Sequence, residues 1–117
     1  MQEILELIKE ATGIDAIPIH TESVANDTIC YKDYSLSDDG VISRHRVELR
    51  IITKEYARAD IIRAQLINAL VTRGDDNLTQ NILSCALNGG GRLFEYETNT
   101  IHTLVYFEFI KRSIKND

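Results

Sequence analysis

Between Val41 and Lys54 apolar and charged residues alternate, with Val41, Val47, Leu49 and Ile51 at odd positions and Arg44, Arg46, Glu48 and Arg50 at even ones. A period of two marks a strand with one buried face, so the pattern predicts a strand over Val41–Lys54 that builds a core on one side. Its other side carries a ladder of arginines: Arg44, Arg46 and Arg50. Such a row on a rigid strand can meet carboxylates on a partner, or it can be a solvated outer face with cross-strand ion pairs. From Glu55 to about Val71 the period lengthens to 3.6, and Ala59, Ile62, Leu66, Ile67 and Leu70 form a broad apolar stripe that Gly74 ends. Ile61 falls off that stripe beside Gln65 and Asn68, which makes it a candidate for burial in another subunit; a single exposed isoleucine is the plain alternative.

The flanking segments complete the outline. Gln2–Thr12 reads as an amphipathic helix with Ile4, Leu7, Ile8 and Ala11 on one stripe, closed by Gly13 as the residue free to turn left-handed. Ala16–His20 holds the single proline and is expected as an edge strand or extended connection, followed by a polar loop over Thr21–Asp27. Thr28–Leu36 is the next strand, with Ile29 and Tyr31 on one side and Cys30, Tyr34 and Leu36 on the other. Ser37, Asp38, Asp39 and Gly40 form the turn of a hairpin, since Asp-Gly supports positive backbone dihedrals. The polar character of Ser35–Ser43 predicts a mobile finger. Leu78–Leu87 is assigned as strand by alternation, Asn88–Arg92 as a flexible glycine-rich loop, Leu93–Glu97 as a short extended segment and Thr98–Thr100 as a turn. Ile101–Ile110 is the final strand, with Thr103, Val105, Phe107 and Phe109 on one side, and Lys111–Asp117 is a charged tail. The order α-β-β-β-α-β-β predicts a single α+β domain over residues 1–117: two helices on one face of a mainly antiparallel sheet of four to five strands.

Composition narrows the function classes. At 117 residues, 44% hydrophobic and 26% charged, the chain is an ordinary globular one able to bury a single core. No apolar run approaches the ~20 residues that cross a bilayer, and no signal-peptide pattern opens the chain, so it is expected to be made in the cytosol, with no membrane partner. A net charge of -5 argues against a general nucleic-acid binder. Cys30 and Cys85 are too few and too distant for a metal knuckle or a disulfide framework and are read as buried thiols.

Chemistry is hard to find. His20, His45 and His102 sit on separate segments without ligand or triad spacing, and His45 shares the core parity of its strand. Asp75 and Asp76 are two adjacent carboxylates without further ligands, the usual mark of a solvated turn. The Asn88–Arg92 segment, NGGGR, lacks the strand-turn-helix context of a phosphate cradle. No catalytic, cofactor or metal residue is therefore expected. The candidate interface residues are Arg44, Arg46, Arg50 and Ile61 with two loops, Asp38–Asp39 and Gly89, Gly90, Gly91 and Arg92.

Three segments together carry a resemblance: the amphipathic helix ending in TGI, the block RVELRIITKEYARADIIRAQLINAL with Tyr56 and Ala59 at its helix start, and the ending FEYETNTIHTLVYFEFI. In this order they resemble the small tail terminator, tail completion or head-tail joining proteins of long-tailed bacteriophages and prophages, some called minor capsid proteins. The region Asn77–Arg92 departs most from that pattern. The resemblance implies a non-enzymatic virion protein, assembled in the host cytoplasm, that forms a ring, usually of six copies, at the head-proximal end of the tail tube. Its implied partners are further copies of itself, the tube protein and a head completion or connector protein, with DNA passing through the lumen without specific binding. A small ligand-binding or enzyme domain of ferredoxin-like topology would share the same layout.

Overall fold

A computed structural model describes residues 1–18, 26–74 and 76–113. Expectations for His20, Asp75, residues 21–25 and the end of the tail fall outside the described residues. The elements are α1 (Gln2–Thr12), β1 (Ile17–Pro18), β2 (Thr28–Asp38), β3 (Ile42–Thr53), α2 (Tyr56–Leu70), β4 (Ile82–Glu95) and β5 (Thr100–Arg112). The chain is α+β, as its periodicity predicts.

The strands form one open sheet in the order β1-β2-β3-β5-β4, antiparallel throughout except for the short parallel pairing of Ile17 and Pro18 with Cys30 and Tyr31. At its centre β3 and β5 pair without interruption from Ile42↔Arg112 to Thr53↔Ile101. The strands beside them are irregular: β2 skips Leu36 between Ser35 and Ser37, and β4 skips Leu83 and Asn88. These are single extra residues of the β-bulge kind, which bend and twist the strands that carry them.

Both helices cover one face. Val47, Leu49 and Ile51 of β3 and Val105, Phe107 and Phe109 of β5 are buried there against Ile4 and Ile8 of α1 and Ile62, Leu66 and Leu70 of α2. Each apolar side chain so buried contributes roughly 1.5–3 kcal/mol before the entropy of ordering it is subtracted. Gly13 ends α1 at φ 76°, donating its N–H to the Lys9 carbonyl at 2.8 Å. The expected stripe of α2 holds: Ala59, Ile62, Leu66 and Leu70 are buried, Ile67 packs against them, and Ile61 stays 47% exposed. Both cysteines are buried, and burial pushes the Cys85 thiol up to about 12.

Several boundaries differ from the sequence pattern. Val41 lies in the turn and is 74% exposed, because Asp39 draws the Val41 and Ile42 N–H groups onto its carboxylate at 2.8 Å each and holds the turn outside the sheet. The Ser35–Ser43 segment is a paired hairpin up to Asp38↔Ser43. The helix α2 ends at Leu70, four residues before Gly74, since Val71 turns extended and Thr72 docks on β4, its N–H and hydroxyl meeting the Cys85 carbonyl at 2.9 and 3.3 Å. Leu78–Asn81 precedes the strand as a turn in which the Thr79 hydroxyl accepts the Ile82 N–H at 3.0 Å. The largest difference is Asn88–Arg92, which is strand and not loop: β4 runs through its glycines to Glu95, with Gly89 to Arg92 opposite Tyr106 to Thr103. Glycine only mildly disfavours a strand, and pairing with the long apolar β5 outweighs that cost.

Candidate assembly surfaces

Three surfaces gather the residues that the sequence singled out, and they differ in how free those residues are. On the sheet face away from the helices, Arg44, Arg46, Glu48 and Arg50 project as the alternation of β3 requires. Register brings Glu108, Tyr106, Leu104 and His102 of β5 beside them. Arg44 pairs with Glu108 at 3.1 Å. The Arg46 guanidinium lies 4.5 Å from the centre of the Tyr106 ring, a cation–π contact that contributes about 0.5–1 kcal/mol at such a site. Arg50 approaches Nδ1 of His102 at 3.5 Å, and burial first, then this arginine, hold the imidazole below its usual value. Arg46 and Arg50 are half-buried, and their Nε groups have no hydrogen-bond partner among the described residues. The ladder is thus not a uniformly solvated row: one arginine is satisfied, while two lie along aromatic and apolar neighbours with donors left over.

The second surface lies on the helix side, where α2 stops short of the outer strand. Arg92 reaches from β4 across to the helix, bonding Asp60 at 2.6 Å and the Thr103 hydroxyl at 3.0 Å and lying 5.4 Å from the Tyr56 ring centre. It clamps β4 to α2, so its first task is internal. Beyond the clamp an open groove of about 440 Å³ is lined by Arg63, Leu87, Gly89, Gly90, Gly91 and Arg92, and a neighbouring one of about 480 Å³ by Arg63, Ile67, Val71 and Arg73 among others. Gly90 is there for space, since a Cβ on it would run into the Leu104 carbonyl oxygen, whereas Gly91 faces open space. Gly89 sits at φ 130°, beside the bulge.

The third surface is the β2–β3 hairpin. Asp38 accepts the Gly40 N–H at 2.9 Å and the Ser113 hydroxyl at 3.3 Å, and the Asp39 carboxyl is held below its usual value by the N–H groups of Ile42 and Val41. Both aspartates therefore build the turn. Leu36, the bulged residue, is 49% exposed beside them.

Four groups the sequence reading passed over matter here: Arg63, Arg73, Tyr106 and Glu108. Tyr106 and Glu108 occupy the parity opposite Val105 and Phe107, so their face was legible; that β5 lies next to β3 was not. Among the described residues no group of three or more His, Cys, Asp or Glu side chains comes together as a metal site, and His45 and His102 lie on opposite faces of the sheet. No described helix is long and apolar enough to cross a membrane.

The fold has a solved counterpart. A chain of a structure titled "Virion of native gene transfer agent (GTA) particle" superposes with a TM-score of 0.61 at 14% identity, covering 94% of this chain and 84% of that one. At that identity the likeness establishes a shared fold. No family model matches the sequence, and no curated protein matches it.

Beside such a fold, the surfaces have a common character. Leu87 shares the helix-side groove with Arg63 and Arg92, Ile61 on α2 and Leu93 and Phe94 on β4 are exposed as well, and on the other face Arg46 and Arg50 keep unused donors. This mixture of apolar and arginine groups is what protein interfaces favour at their centres.

Proposed function

We propose that this chain is a structural protein of a long-tailed phage or a phage-derived particle, that it assembles as a ring, of six copies in the form its sequence resembles, and that it caps the head-proximal end of the tail tube and takes part in head-tail joining. The observation that carries the reading is the fold shared over nearly the whole chain with a component of a gene transfer agent virion. The sequence resemblance, which rests on other grounds, points the same way. The surfaces suit the task. An elongated sheet, in a molecule 49 Å in its longest dimension, exposes arginines on one face and an apolar, arginine-flanked groove on the other, so a subunit can engage neighbours and a tube end at once. The partners in this reading are copies of the same chain, the tube protein and a head completion or connector protein. A net charge of -5 suits a lumen through which DNA must pass without adhering.

The test is deletion of the gene from its phage or prophage followed by electron microscopy of the lysate. Tubes of uncontrolled length, or finished tails unattached to filled heads, are the expected result. Normal tails and infectious particles would overturn the reading.

A further inference from the structure

The sheet has two unlike open edges. At one, β1 covers only Cys30 and Tyr31 of β2, so that from Lys32 onward no strand pairs with the outer side of β2 among the described residues. At the other, Thr72 covers β4 only at Cys85, through bonds of 2.9 and 3.1 Å, and from Ala86 to Glu95 the outer side of β4 is unpaired among the described residues. An unpaired edge is a row of N–H and C=O groups ready to accept another strand.

The edges are complementary in three respects. Strand sense is the first: β2 and β5 run one way and β3 and β4 the other, so a neighbour related by rotation about an axis along the strands would lay its β2 antiparallel on β4. Charge is the second. The helix-side residues of β2 include Asp33 and Ser35, which pair with Val47 and His45 of the buried face, while the groove beside β4 on that same side is lined by Arg63, Arg73 and Arg92. Of these Arg63 and Arg73 have no ion pair among the described residues. Apolar surface is the third, with Leu36 exposed on β2 and Leu87 and Leu93 exposed on β4.

We propose that the β4 edge and the basic groove beside it receive the acidic outer half of β2, from about Lys32 to Asp38, of a second copy of this chain, with Asp33 of one copy meeting Arg63 of the next. The proposal rests on the ring reading above and supplies its subunit contact. Because the two edges differ, the contact is head-to-tail, the arrangement that closes into rings. The edges are not level: the middle of the β2 segment lies opposite Phe109 through β3, and the middle of the open β4 segment opposite Leu104–Val105. Each copy is therefore displaced along the strands by about four to five residues, roughly 15 Å, the stagger that closure of a sheet into a barrel demands.

The experiment uses the full chain with isolated tail tubes. Arg63→Glu and Asp33→Lys, each alone, should weaken ring formation about tenfold or more, because each sets like charges together. An equimolar mixture of the two should restore it, since every contact in an alternating ring then joins opposite charges; recovery on mixing also excludes misfolding as the cause of the single losses. In wild-type protein, amide hydrogen exchange over Ala86–Phe94 should slow on going from free subunit to ring. Rings in which those amides exchange as fast as in the subunit, or variants that assemble alone as wild type does, overturn this contact and leave the ring reading intact. Failure of the wild-type chain to self-associate on any tube end overturns both.

Discussion

Single residues in this fold are held by reasons that can be separated experimentally. Gly90 and Gly91 are neighbours in one strand, yet only the first lacks room for a methyl group. Gly90→Ala should cost about 1–3 kcal/mol, the usual penalty for overpacking against backbone, and Gly91→Ala under ~0.5 kcal/mol; urea midpoints that moved equally would refute the distinction. His45 stacks on Phe109 with ring centres 5.1 Å apart and bonds the Ser43 hydroxyl at 2.9 Å. Burial first, then Lys111 and the amino terminus, lower its affinity for a proton, and burial with Arg50 does the same for His102. Both imidazoles therefore bind protons less readily folded than unfolded. Stability is fully present above the unfolded value of 6.5 and is lost as pH falls through the lower folded values. Thermal melts should show this decline between about pH 7 and pH 5, and the double variant His45→Gln, His102→Gln should flatten it. An unchanged slope would place the acid sensitivity elsewhere.

Elements show where sequence reasoning succeeds and where it stops. The helix α2 offers the cleanest contrast, because Ile61 and Ile62 are adjacent but lie on opposite sides of the stripe. Ile62→Ala should cost about 2–5 kcal/mol by leaving a cavity. Ile61→Glu should cost under ~0.5 kcal/mol and act only on assembly; loss of the folded circular dichroism spectrum in that variant would place Ile61 inside. Periodicity revealed this because 3.6 and 2.0 residue repeats are local signals, and α1, α2, β3 and the buried parity of β5 were all legible through them. Asn88–Arg92 was not. Glycines carry no side-chain alternation, so a strand that owes its form to pairing with Tyr106–Thr103 leaves no trace in its own residues. The candidate surfaces were half legible for the same reason. Arg44, Arg46 and Arg50 announce their face, but Tyr106 under Arg46 and Asp60 across from Arg92 are neighbours made by folding alone.

For the whole molecule, the role of the exposed sheet face is read out in assembly. Changing Arg46 and Arg50 together to Gln removes the two guanidinium groups with unused donors while Arg44 keeps its pair with Glu108. If this face meets an acidic surface of the tube or a neighbouring subunit, the loss of two charge-assisted contacts, each about 1 kcal/mol, repeats in every subunit and should abolish capping while the monomer stays folded. Capping undiminished at low and physiological salt would show the face to be solvated and leave the helix-side groove as the working surface.

The bulges carry a consequence for how such a chain can change over time. Leu36, Leu83 and Asn88 each stand outside the one-to-one pairing of their strands, so the loss of any one of them would leave every other side chain on the side of the sheet it now occupies. A deletion inside β3 or β5 has no such slack and would turn a run of buried residues outward. Length variation among related chains should therefore collect at these three positions and at the turns, and a comparison that places gaps within 42–53 or 100–112 has been aligned wrongly.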